Sequence, residues 1–169
     1  MTFDEWLMQA DTRLAHDRIW RMRAYRLAHY LTDMAWRDVE AALANPVARE
    51  SASQLIRAIG AIRADLVEGY SRSSGRDRAR YFEYALGSAR EAREWTITLA
   101  PVIGETTASS RREYLSEIIR LLLAAIPSER KRRIQPAEAP DDDVIQDRER
   151  GPVSGARPRD YPSRDGRRD

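Results

Sequence analysis

Residues 54 to 91 read QLIRAIGAIRADLVEGYSRSSGRDRARYFEYALGSARE, and here both hydrophobicity and charge recur at helical spacing. At about 100° per residue, Leu55, Ile59, Ile62, Leu66 and Tyr70 fall on one apolar stripe. Gln54, Arg57, Ala61, Asp65, Glu68 and Arg72 fall on a second stripe beside it. The apolar stripe needs one neighbour, the core of its own domain. A second organised stripe predicts a second neighbour, either a partner helix or another subunit. Ser73-Ser74-Gly75 interrupts the pattern, and Ser74 or Asp77 is placed to cap the helix that follows.

The same reasoning along the chain predicts four helices and a tail. Asp4 to Leu43 is helical in character with a break near Asp11, and Ile19, Met22, Tyr30, Met34 and Leu43 supply its buried edge. Asn45-Pro46 ends that pattern and starts the second helix, because proline suits a first turn but not a helix interior. The second helix runs to about Tyr70, and the third ends near Pro101 to Gly104. Leu115, Ile118, Ile119, Leu122 and Ile126 form the apolar face of the fourth, and Pro127 marks its expected end. Long amphipathic helices with short connections predict an all-α fold, an antiparallel up-down four-helix bundle over residues 1–128. Residues 129–169 are rich in Pro, Gly, Arg and Asp. Such a segment buries too little apolar surface to offset its ordering entropy, so a disordered tail is expected, its opening basic run, Arg130-Lys131-Arg132-Arg133, being the one part that could extend the fourth helix by a turn.

Several functional classes find no support. With no cysteine in its 169 residues the chain has no disulfide and no thiolate metal site, which suits a reducing cytoplasm. Met1 to Ala10 carries Asp4 and Glu5 and does not read as a signal peptide. The longest apolar run, Leu121 to Ile126, falls far short of the roughly 20 residues that span a bilayer, so no membrane partner is expected. A di-iron bundle needs Glu-x-x-His pairs, yet Arg13 and Arg26 stand three residues before the only histidines, His16 and His29. No phosphate loop, nucleophile elbow or HExxH is present. Asp65 and Glu68 share a helix side, but Arg57 and Arg72 on the same stripe offer them ion partners. No catalytic residue, metal or cofactor is expected, and the chain reads as a non-enzyme.

Gln54-Leu55-x-Arg57-Ala58, Glu68-Gly69 at the helix end and Gly87-Ser88-x-x-Glu91 in the next helix together resemble the signature of a bacterial four-helix-bundle family. That family includes proteins encoded in intervening sequences of 23S ribosomal RNA and the accessory protein of diversity-generating retroelements. The resemblance spans roughly Trp20 to Pro127. It departs at Ala61, where the family usually has Ser, and at Asp65, where it usually has Asn. It implies a homopentameric barrel of bundles around a central channel and no enzymatic activity. For the retroelement members it also implies association with a reverse transcriptase and template RNA.

Two sets of residues are the candidates for function. Gln54, Arg57, Asp65, Glu68, Gly69, Gly87, Ser88 and Glu91 are expected to serve structure and assembly, with Glu91 paired to an arginine of the second helix, Arg57 first, and Gly87 permitting close helix approach. Arg18, Arg21, Arg23 and Arg26, with Arg72, Arg76, Arg78 and Arg80, form two basic clusters that up-down topology brings to one end of the bundle. Arginine favours bidentate phosphate contacts. The reading that follows is an oligomeric accessory protein binding RNA or an RNA–DNA hybrid, with a reverse transcriptase as a possible protein partner. The alternative is a protein-interaction scaffold of the intervening-sequence type that binds no nucleic acid.

Overall fold

A computed structural model describes residues 1–10 and 16–132. The expected disordered tail lies outside the described residues from position 133 onward. Regular structure among the described residues is entirely helical: α1 (Phe3–Gln9), a 3₁₀ turn (Arg18–Arg21), α2 (Arg23–Asp38), α3 (Glu40–Ala44), α4 (Arg49–Tyr70), α5 (Gly75–Ile103) and α6 (Glu105–Lys131). The fold is all-α.

The helical stretch expected over Asp4–Leu43 carries its expected break, α1 ending at Gln9 just before Asp11, and is divided again at Val39, for reasons visible in its caps. Thr2 and Glu5 form a capping box that starts α1: the Thr2 hydroxyl accepts from the Glu5 amide, and the Glu5 carboxylate accepts from the Thr2 amide. Asp17 accepts from the Ile19 amide at 3.0 Å and starts the 3₁₀ turn, after which Met22 returns to extended backbone. A second break falls at Val39 (φ −101°, ψ 3°), fully buried between α2 and α3. The first break turns Trp20 back onto α1. The His29 ring sits between Trp6, Trp20 and Tyr25 at centroid distances of 5.6, 6.1 and 6.0 Å. The Trp6 indole donates to Asp33 at 2.8 Å, and the Tyr30 hydroxyl donates to the Met1 carbonyl at 2.9 Å. These contacts strap α1 onto α2. Burial among the rings lowers the His29 pKa, opposed by Asp33 and reinforced by Arg63 of α4.

Asn45-Pro46 ends α3 as expected, but α4 begins three residues after the proline. The Asn45 side chain accepts from the Val47 amide at 2.9 Å, and its carbonyl accepts from Ala48 and Arg49, a turn that holds Pro46 outside the helix. From there the apolar stripe behaves as read: Leu55, Ile59, Ile62 and Leu66 are buried. Ser74 caps α5 by accepting from the Asp77 amide at 3.0 Å. Gly104 at φ +87° ends α5 and opens α6, a conformation that favours glycine. Leu115, Ile118, Ile119, Leu122 and Ile126 are all buried. Pro127 does not end α6, which continues to Lys131. Proline forfeits one bond to the carbonyl of Leu123, whose residue is half exposed, so water can serve that oxygen. Arg130 and Lys131 in the last turn suit the negative end of the helix dipole.

The long helices pack as neighbours: α5 lies against α4 and α6, and α2 lies against both α4 and α6. Two ion pairs fix the antiparallel sense of α2 and α6. Arg23 at the start of α2 donates to Glu117 (2.5 and 3.2 Å). Asp38 at the end of α2 accepts two bonds from Arg111, near the start of α6 (2.6 and 3.1 Å). Burial alone would lower the Arg111 pKa, but Asp38 and the Tyr30 hydroxyl, 2.8 Å away, leave it raised. That pair is a part-buried cross-tie of the fold.

Candidate functional site

The connection between α4 and α5 meets the end of α6 in a corner dense with arginine and tyrosine. Gly75 is pressed against α6 so closely that a Cβ there would lie 2.3 Å from the Glu129 carbonyl oxygen. Arg78 holds the corner together. One of its nitrogens donates to the Tyr70 and Arg72 carbonyls (3.1 and 3.4 Å), and another lies 3.5 Å from the Glu129 carboxylate. Its guanidinium also covers the Tyr70 ring at 5.1 Å. With its side chain only 11% exposed, Arg78 is placed as a clamp within the fold rather than as a surface contact. Arg72 pairs with Glu68, donates to the Tyr81 hydroxyl at 2.8 Å and covers that ring at 4.7 Å. Arg80 is exposed and donates to the Tyr84 hydroxyl at 2.9 Å. Arg76 is exposed and makes no ion pair among the described residues. From α6 come Arg130, paired with Glu83, and the exposed Lys131 and Arg132. These last three belong by sequence to the tail, although their basic run marks them; continuation of α6 past Pro127 brings them here.

The other basic cluster stays apart. Arg18 and Arg21 are exposed on the 3₁₀ turn. Arg23 is committed to Glu117 and lies 5.2 Å from the Phe3 ring centre, and Arg26 is half-buried with its Nε unpartnered. Glu117, which anchors Arg23, precedes Glu129, which anchors Arg78, by twelve residues on α6, about 18 Å along the axis. The expectation that both clusters meet at one end is therefore corrected. α2 begins only at Arg23 and has 16 residues against 27 in α6, so it starts well short of the corner. Arg23 also holds the Glu117 carboxyl below its ordinary range.

The remaining candidates lie along the α4–α5 seam, and several face outward. Gln54 and Arg57 both donate to Glu50, one and two turns earlier on α4 (2.9 and 3.1 Å). Glu91 is exposed and, among the described residues, accepts only from the Trp95 indole at 3.2 Å. The expected Glu91–Arg57 pair does not form, because each side chain finds a partner on its own helix. A Cβ on Gly87 would meet nothing within 4 Å, whereas one on Gly69 would sit 2.9 Å from Tyr81 Cβ and 3.0 Å from the Phe82 ring. Close approach of α4 and α5 thus depends on Gly69, not Gly87. Ser88 is half-buried beside it. Asp65 is half-buried without an ion partner among the described residues, and desolvation raises its pKa.

A family model described as 23S rRNA-intervening sequence protein matches residues 21–124. The chain belongs to this family. No curated protein and no solved structure matches it. The family match takes in α4 and α5 whole, with the seam and most of the corner, and agrees closely with the span of the sequence resemblance. It leaves out α1 and the Arg130–Arg132 end of α6, so the α1 side of the aromatic strap and the α6 contribution to the corner lie beyond what the family model matches, while Tyr25, His29 and Tyr30 fall within it. Among the described residues no group of His, Asp or Glu is arranged to hold a metal, and no helix is long and apolar enough to cross a membrane.

Proposed function

We propose that this family member is a non-enzymatic, oligomeric accessory protein that holds nucleic acid by its phosphates. In this reading α2, α4, α5 and α6 act as one four-helix bundle, and copies assemble through the outward-facing seam into the homopentameric barrel that the family resemblance implies. The supporting observation is the corner: Arg76 and Lys131 present exposed cations from two elements that Arg78 locks together, with Arg132 beside them but paired with Glu129 at 3.4 Å. Arg80 stands beside them. Five such corners would act in concert, so that modest phosphate contacts per subunit give useful avidity. RNA or an RNA–DNA hybrid is the expected ligand, and a reverse transcriptase is the expected protein partner in a retroelement setting.

Binding of this kind is electrostatic and weakens with salt in proportion to the phosphates neutralised. A salt titration of labelled RNA against the protein and an Arg76→Glu, Lys131→Glu double variant tests it. Weaker binding and a shallower salt slope in the variant are expected; identical affinity and slope would remove the corner. One observation favours the protein-scaffold alternative: Arg23, Arg72 and Arg78 are already paired with carboxylates. On that reading no RNA binds at any salt concentration.

A further inference from the structure

We infer that the corner takes single-stranded rather than duplex nucleic acid, holding bases by stacking on an arginine–tyrosine ladder; this rests on the nucleic-acid reading above and names its ligand class. The ladder is continuous. Arg72 covers the Tyr81 ring at 4.7 Å, Tyr81 meets Tyr84 edge-on at 5.8 Å and 86°, and Arg80 lies 5.8 Å from the Tyr84 ring centre. Arg76, Arg80 and Tyr84 follow one another at four-residue steps, so a phosphate-seeking cation and an aromatic plane share one face of α5, about 12 Å apart along its axis.

Two details separate this ladder from ordinary surface packing. Tyr84 is 48% exposed, although its hydroxyl already has a donor in Arg80, so its ring contributes little to the core and stands open to solvent. Arg72 is neutralised by Glu68 and held against Tyr81. A salt-bridged arginine is a poor phosphate contact, but its fixed guanidinium plane remains a stacking surface. Unpaired bases stack on aromatic rings and on arginine planes, whereas duplex RNA keeps its bases stacked internally and offers mainly backbone and groove edges. Exposed rings therefore add affinity for a single strand and almost none for a duplex. Every base has a π face, so sequence preference is slight. Stacking does not sense the 2′-hydroxyl, so single-stranded RNA and DNA of one sequence bind alike.

The test compares anisotropy titrations with a short unstructured RNA, its duplex and the equivalent single-stranded DNA, using the full chain, Tyr84→Ala and Tyr84→Phe, with native mass recorded for each. The expected result is tighter binding of both single strands than of duplex. Tyr84→Ala should weaken single-strand binding by about 5- to 100-fold, the loss of one base stack, leave duplex binding unchanged and leave subunit number unchanged, while Tyr84→Phe binds like the parent. Equal binding of strand and duplex that ignores Tyr84 overturns the stacking inference and leaves phosphate binding standing. Altered subunit number in Tyr84→Ala overturns it by placing the ring in assembly. Absence of binding to all three probes removes the inference and the nucleic-acid reading together.

Discussion

Replacing Arg78 by leucine, with Arg76→Leu as its partner experiment, separates the clamp from the surface within the first turn of α5. Arg78 reaches two backbone carbonyls, the Glu129 carboxylate and the Tyr70 ring, and Glu129 is itself only 16% exposed. Breaking a buried ion pair by removing one partner costs about 3–5 kcal/mol. The contacts here are long, at 3.4 and 3.5 Å for two of them, and Arg132 still approaches Glu129 at 3.4 Å, so about 2–3 kcal/mol is the reasoned loss. For a domain of this size that corresponds to a fall of roughly 6–12 °C in melting temperature. Arg76→Leu removes no described contact and should stay within about 0.5 kcal/mol of the parent. Thermal unfolding followed by circular dichroism at fixed protein concentration reads both. Equal melting temperatures for the two variants would refute the clamp and return Arg78 to the pool of free surface cations.

Three further outcomes follow from the site and the strap. The folded pKa of His29 lies below its ordinary value because burial disfavours the imidazolium. The unfolded chain then binds more protons as pH falls below about 6.5, so stability is full above that value and declines below it. Melting curves from pH 7 to pH 5 should fall more steeply for the parent than for His29→Phe, and parallel curves would contradict this. Asp65 has a raised pKa from desolvation, so its ionised form opposes folding at neutral pH. Asp65→Asn should give a small rise in melting temperature at pH 7 that vanishes as pH falls through the ordinary carboxylate range; a loss at pH 7 would mean an unseen partner. Gly87→Ala should stabilise the helix by roughly 0.5–1 kcal/mol, since a Cβ meets nothing within 4 Å among the described residues. If the seam is a subunit contact the added methyl should also lower the subunit number, and an unchanged oligomer would take Gly87 out of the interface.

The parts of this fold that sequence reveals are those governed by local periodicity and punctuation. The α4 stripe, the Ser74 cap, the Gly104 stop and the α6 apolar face all appear where their residues indicate. The break near Asp11 was legible, but the 3₁₀ turn before α2 and the break at Val39 were not: Asp17 starts the turn through a side-chain hydrogen bond, and at Val39 buried apolar residues continue across the break with no side-chain cap to mark it. Pro127 misleads for the opposite reason: a single lost bond opposite half-exposed Leu123 is too small to stop a helix anchored by Ile126 and by the Glu129 contacts. Among the candidate site residues, charge identity was legible but partner choice was not. Arg57 and Glu91 each satisfy themselves within one helix, and Arg78 turns inward, distinctions that depend on rotation about the helix axis and on where α6 ends. The α6 share of the corner was marked by its basic run, yet only the continued helix joins it to Arg76 and Arg80.

Native mass spectrometry of the full chain, purified without nuclease, reads subunit number and retained nucleic acid in one spectrum. An assembled scaffold predicts a homopentamer carrying RNA that is shed as salt increases. A bare monomer would contradict it, leaving the seam as an unshared surface of one bundle and the corner as a solvated end.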